Sequence, residues 1–453
     1  MSVNPADSIV FSGLFGTDAM RAVFDERGFV QRMLDVEAAL ARVQARLGIV
    51  PAEAAAAISA AAQLERISLA EIGASARSVG YPVVGLVKAL GQAAGGDAAR
   101  YVHWGATTQD IMDTALVLQM RDGLGLVEEK LVEIAVALAD KARRHRHTVM
   151  AGRTHLQHAL PITFGYKCAV WLAPFLDHLE RLDELRRRVL TLQFGGAVGT
   201  LASLGDNGRA VATGLADELG LDAPESPWHV NRERLAEAAC FLGMLCGSLA
   251  KLATDMILLM QSEVAEASEP HHSGRGSSST MPQKRNPIAS EYIVAAARGV
   301  HVLVPLMLGT MAQDHERATG PWQSEQLALP QIYVLTAGAL AHGVALAEGM
   351  MVDAERMRRG LGAQQGLIMA EAVMMALAEK IGRDRAHHAV QHACERAIEQ
   401  KRPLVEVLAE DDAVSPHLDR SALIRLTDPA GYLGEALAVI ERVLARATER
   451  VGV

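Results

Sequence analysis

PIASEYIVAAARGVHVLVPLMLGTMA, residues 287–312, carries two charged residues, Glu291 and Arg298. Its apolar residues recur at helical spacing and cover so much of the helix circumference that no broad face is left for water. Such a helix has to be buried. Four further stretches read in a related way, at 110–146, 162–192, 232–266 and 326–349. One chain can bury one or two such helices in its own bundle, but five imply a long bundle that also packs against copies of itself. The expected fold is all-α and the expected state a homo-oligomer.

Shorter elements flank this bundle. Residues 30–48 form an amphipathic helix closed by Gly48, and AEAAAAISAAAQL from Ala52 forms a second. From Met351 the helices shorten and polar turns appear at 382–388 and 410–419. The expected division is therefore 1–109, 110–350 and 351–453.

Composition narrows the function classes. A net charge of −9 and a pI near 6.0 leave no basic footprint for nucleic acid. The opening MSVNPADSIVFSGLFG lacks a basic segment, and no uninterrupted apolar run reaches the ~18 residues a bilayer crossing takes. A cytoplasmic protein without membrane partners is expected. Cys168, Cys240, Cys246 and Cys394 sit in apolar helical patterns without CxxC pairing and read as buried, reduced thiols.

Chemistry collects where the helical pattern breaks, at 78–85, 101–114, 152–165, 313–325 and the approach to residue 287. GATTQD, 105–110, stands ahead of a long helix expected to start near Asp110. Thr107, Thr108 and Asp110 either cap that helix or help its outward-facing amides hold an anion. GRTHLQH, 152–158, gathers Arg153, Thr154, His155, Gln157 and His158 just before Pro161, which is expected to open the next helix. His-x-x-His recurs in metal sites, yet no partnering Cys, Glu or further His follows in pattern. GSSSTMPQKRNP, 276–287, is either a solvated linker or a lid over a ligand, with Lys284, Arg285 and Asn286 converging on a Pro-started helix where an acid could bind.

SSSTMPQKRNP (277–287) resembles the signature loop GSSxMPxKxNP of the fumarase/aspartase superfamily. YVHWGATTQDIMDT (101–114) and GRTHLQHALPITFG (152–165) are similar to the superfamily's other two active-site segments, in the same order and at comparable separation. Stretches at 20–43, 192–202, 227–235, 313–325 and 382–388 resemble the branch formed by the bacterial 3-carboxy-cis,cis-muconate cycloisomerases. The resemblance implies a small helical amino-terminal domain, a central bundle of five long helices and a helical carboxy-terminal domain. It further implies a homotetramer with a twenty-helix core, active sites shared between subunits, and neither cofactor nor metal.

What the resemblance implies for single residues follows from the motifs. Ser278, the first Ser of Ser-Ser-x-Met, is the expected catalytic base, with Lys284 activating it and, beside Asn286, holding the carboxylate that becomes the aci-form. Thr107, Thr108 and Gln157 supply neutral hydrogen bonds, and His103, Thr154, Ser279 and Met281 complete the substrate pocket. His155 matches the residue that helps protonate the departing group in fumarate-forming lyases, and the cycloisomerase branch can carry Trp there. Gln283 stands where His or Tyr is common. Arg317, with Arg21, Arg232 and Trp228 behind it, either reads distal carboxylates or forms packing and inter-subunit salt bridges, while Glu316 and Glu325 serve structure or orient site groups. The implied reaction is lactone formation from 3-carboxy-cis,cis-muconate, the alternative release of fumarate from an N-substituted aspartate. A helical scaffold would have no use for three polar loops of this composition.

Overall fold

The computed structural model describes residues 4–270, 281 and 283–453. Five long helices dominate it: α1 (Thr108–Arg144), α2 (Phe164–Val189), α3 (Glu233–Leu259), α4 (Ile288–Gly309) and α5 (Pro321–Gly349). Cations in their last turns, Lys141, Arg143 and Arg144 in α1 and Arg186, Arg187 and Arg188 in α2, complement the carbonyl ends. Pro174, Pro305 and Pro330 lie inside α2, α4 and α5. Each removes one amide donor from its helix.

The chain forms two compact units, 1–131 with 178–250 and 292–342, and 132–177 with 251–291 and 343–453. Each long helix contributes one part to either unit. In the first unit the helix Glu26–Arg46 buries Met33, Leu34, Leu40 and Val43 on one face. It begins earlier than its apolar period suggests because Asp25 caps it, accepting the Gly28 N–H at 2.7 Å. In the second unit the short carboxy-terminal helices close over Val373, Leu377, Val390, Leu404, Leu408, Val414 and Leu423.

The structure corrects several expectations. The break at 78–85 is only Gly80 and Tyr81 between the helices Leu69–Val79 and Pro82–Ala94. The helix expected over 232–266 stops at Leu259; beyond it Glu266 forms a bidentate pair with Arg153 at 2.7 and 2.7 Å, and Ala267 and Ser268 pair with Val352 and Met351. Pro161 opens no helix: it sits in a strand opposite Ala151. β1 (Val149–Thr154) and β2 (Gln157–Thr163) form an antiparallel hairpin, and α2 starts only at Phe164, with the Thr163 hydroxyl accepting the Tyr166 N–H at 3.0 Å. Cys168 and Cys246 are fully buried, and burial pushes the Cys246 thiol up to about 12, whereas Cys240 and Cys394 are only partly covered. By length and hydropathy, α3, α4 and α5 would each suffice to cross a membrane, contrary to the expectation from uninterrupted apolar runs.

The hairpin turn consists of His155 and Leu156, both left-handed at φ 50° and 64°. A two-residue turn with positive φ at both positions matches the twist of its strands, and Asn-Gly usually fills it. Leu156 is 72% exposed there. A branched apolar side chain in this backbone region costs about 1–2 kcal/mol. Leu156→Gly is therefore expected to raise stability by about 0.5–1 kcal/mol after glycine's larger unfolded-state entropy is counted, read as a higher unfolding midpoint. A lower midpoint would mean that Leu156 is buried against another copy.

Candidate active site

In the first unit, the turn before α1 is organised by one buried carboxylate. Asp110, in the first turn of α1 and wholly inaccessible, accepts the Thr107 N–H at 3.0 Å. It also accepts the Gly195 and Gly196 amides at 2.9 Å each and meets His229 Nε2 at 2.7 Å. Gly196, at φ 71°, takes a conformation that lets consecutive amides converge on one anion. The segment at 195–197 is thereby fastened to the start of α1. Arg317 closes the arrangement, donating to Thr107 Oγ1 at 3.1 Å and to the Ala197 carbonyl at 2.9 Å. His103, Thr107, Thr108 and Arg317 thus share one loop cluster.

His103 is fixed by Glu37 of the helix Glu26–Arg46. Its Nδ1 lies 2.6 Å from Glu37 Oε1, and its backbone N–H donates to Oε2 at 3.1 Å. Burial works against a charged ring here. The charge and hydrogen bond of Glu37 outweigh it, with Asp110 adding to them, and hold the imidazole above its ordinary range.

Behind this loop lies a second network. Arg232 is inaccessible and donates to Asp113 at 2.6 and 3.0 Å and to Glu325 at 2.8 and 2.5 Å. Its guanidinium stands 4.9 Å from the ring centroid of buried Trp228, and the Trp322 indole donates to Asp113 at 3.0 Å. Burial opposes the Arg232 charge, but the two carboxylates more than compensate and raise its pKa; burial and Asp113 together push the Glu325 carboxyl above its usual range. Arg232 and Trp228 are thus both buried within the chain, with the Arg232 guanidinium engaged by its own Asp113 and Glu325. Arg21 pairs with Asp18 at 2.6 Å and donates to the Ser12 carbonyl, while Glu316 is exposed.

The remaining expected residues belong to the second unit. Thr154, His155 and Gln157 form the exposed tip of the hairpin, and Arg153 beside it pairs with Glu266. Burial and neighbouring Arg153 keep His158 below its ordinary range. Met281, Gln283 and Lys284 are exposed, the Lys284 N–H donates to the Met281 carbonyl at 3.0 Å, and Asn286 is half-buried. Glu269, which nothing in the sequence marks, caps α4: it accepts the Ala289 N–H at 3.0 Å and the Ser290 N–H and hydroxyl at 2.8 and 2.7 Å. Ser278 and Ser279 lie outside the described residues. No group of three His, Cys, Asp or Glu among the described residues is arranged to hold a metal ion.

A family model described as Lyase matches residues 15–301. The chain belongs to the lyases of the fumarase/aspartase superfamily. A second model, Adenylosuccinate lyase C-terminus, matches residues 366–443 of this lyase. A 3-carboxy-cis,cis-muconate cycloisomerase of Pseudomonas aeruginosa is 52% identical over 98% of the lyase and 97% of its own length. Trans-aconitate decarboxylase 1 of Mycosarcoma maydis is 46% identical over 96% and 88%. The solved structure of 3-carboxy-cis,cis-muconate lactonizing enzyme from Pseudomonas putida superposes on the lyase with a TM-score of 0.92 at 46% identity, covering 98% and 99% of the two chains.

Proposed function

We propose that this lyase is a cycloisomerase that converts 3-carboxy-cis,cis-muconate to a γ-carboxymuconolactone by anti addition of a carboxylate across a double bond. The observation that carries this reading is 52% identity over 98% of the chain to the Pseudomonas aeruginosa cycloisomerase. One carboxylate oxygen bonds to the carbon β to a second carboxylate, and the double-bond electrons move onto that carboxylate as an aci-form. The Ser278 hydroxyl then gives its proton to the α carbon and is reprotonated from water. In reverse the same serine is the base. A doubly charged aci-carboxylate needs dense donors, and Lys284 and Asn286 supply them, with Thr107, Thr108 and Gln157 as neutral partners. Thr154, Ser279 and Met281 line the pocket. Arg317, resting on Thr107 Oγ1, is the group proposed to read a distal carboxylate. The leaving group of the reverse direction is a carboxylate, which departs without a proton, so His155 serves as a hydrogen-bond donor.

We also propose a homotetramer and a cytoplasmic location, with domains at 1–109, 110–350 and 351–453. The start of α1 at Thr108 and the end of α5 at Gly349 support those bounds. Val302, Leu306 and Leu308 on α4, Met244 on α3 and Leu327 on α5 are exposed in the single chain, Val302 by 75%. Arg298 stands within α4, where a bilayer would charge about 2.5–3.5 kcal/mol for it. Burial between copies suits these faces better. Light scattering is expected to give four times the 48.4 kDa chain mass; a monomer would overturn the assembly.

The deciding experiment is an ultraviolet assay without added metal or nucleotide. Loss of the diene absorbance of 3-carboxy-cis,cis-muconate is the expected result. Fumarate growing from N-substituted aspartates, or decarboxylation of trans-aconitate, with the muconate left unchanged would overturn the reading.

A further inference from the structure

Buried carboxylates are held by partners that keep their charge. Glu37 is 1% exposed, and both its oxygens are spent on one residue 66 positions away, the ring and the backbone N–H of His103. His103 in turn adopts φ 62°, a backbone conformation uncommon for a side-chain-bearing residue, which persists only where its surroundings enforce it. The two contacts to Glu37 do so. They also fix the chemistry of the other ring nitrogen. With Nδ1 turned to the carboxylate, a neutral ring leaves Nε2 a lone pair, which repels an anion, whereas a protonated ring leaves Nε2 an N–H, which attracts one. The charge state of His103 therefore sets whether this side chain helps or hinders the turn before α1 in holding a carboxylate.

We propose that Glu37 is a positioning residue that holds His103 as an imidazolium whose outer nitrogen takes a carboxylate oxygen of the substrate. The inference rests on the proposed polycarboxylate chemistry of this site and adds the residue that sets its charge. The groups bearing on the ring are Glu37 and Asp110; His229 and Arg317 reach the same turn through Asp110 and Thr107. Because the folded imidazole lies above its ordinary value, the pair contributes fully below the unfolded histidine range. Its contribution is lost as pH rises through the raised folded value. Carboxylate binding follows the same sense.

The test is calorimetric binding of the saturated tricarboxylate tricarballylate to the full-length enzyme from pH 6 to 9, with proton uptake measured, beside turnover of 3-carboxy-cis,cis-muconate. The wild type is expected to bind more weakly, with proton uptake, as pH rises. In Glu37→Gln the weakening should begin at lower pH, with affinity at pH 7.5 down about 10- to 100-fold, the ratio for one charge-assisted hydrogen bond. His103→Asn, whose side chain tolerates the left-handed backbone and keeps an uncharged donor, should bind weakly with no pH dependence from this site. It carries the test if Glu37→Gln fails to fold. A Glu37→Gln variant with the wild-type affinity and pH profile, a His103→Asn variant that keeps the pH limb, or a wild type that does not bind tricarballylate overturns the proposal. A wild type that shows the pH limb but leaves the muconate unchanged upholds the pair and overturns the cycloisomerase reading alone.

Discussion

Replacing Arg232 by alanine is expected to destabilise the chain by about 3–5 kcal/mol, the penalty for breaking a buried ion pair by removing one partner. The guanidinium is inaccessible and is the shared counter-charge of Asp113 and Glu325. Without it, two carboxylates face each other in the interior with neutral donors in place of a counter-charge, the Trp322 indole and Gln109 on Asp113 and Gln313 and Thr310 on Glu325. The loss depends on pH. Glu325 already lies above its unfolded range, first through burial, and removing Arg232 takes away the group that holds it down. A carboxyl with a raised folded pKa destabilises above that value and is relieved as pH falls through it. Urea unfolding at pH 8 should show the full loss and at pH 5.5 a smaller one. An unchanged midpoint at both values would mean that the network carries no net stability.

The second large effect is kinetic. Ser278→Ala should lower kcat by about 10²–10⁴-fold, the range for loss of a positioned proton-transfer group, with the circular dichroism spectrum intact and KM little changed. Ser279→Ala, placed by the motif in binding, should act mainly on KM. Near-normal turnover by a folded Ser278→Ala variant would remove the serine from the mechanism and leave proton transfer to another group.

The five long helices were legible because apolar recurrence at helical period is a local property. The hairpin at 149–163 was not. Its turn is His-Leu where Asn-Gly would have announced it, and Pro161 imitates a helix start. Glu266 likewise extends a helical pattern past Leu259, whereas its pair with Arg153, 113 positions earlier, and the pairing of Ala267 and Ser268 with Val352 and Met351 hold it in an extended segment. The site divides along the same line. Thr107, His103, Lys284 and Arg317 stand in loops whose polar density marks them. Glu37 and Glu269 sit in ordinary helical or flanking sequence, and each takes its role from a partner 20 or 66 positions distant. Arg232 and Glu325 were each marked and Asp113 lies in a marked segment, but nothing local joins the three, so the burial of Arg232 between two carboxylates was invisible.

The division of each long helix between the two compact units also bears on how the chain is made. The first unit takes its last segment from 292–342, and the second begins at residue 132 and needs residues 343–453. Neither can close until residue 342 has been synthesised, which takes roughly 20–70 s at the usual 5–20 residues per second. Throughout that interval the apolar faces of α1, α2, α3 and α4 emerge from the ribosome without their final neighbours. A nascent chain of this design exposes those faces for longer than one whose compact units are each continuous in sequence.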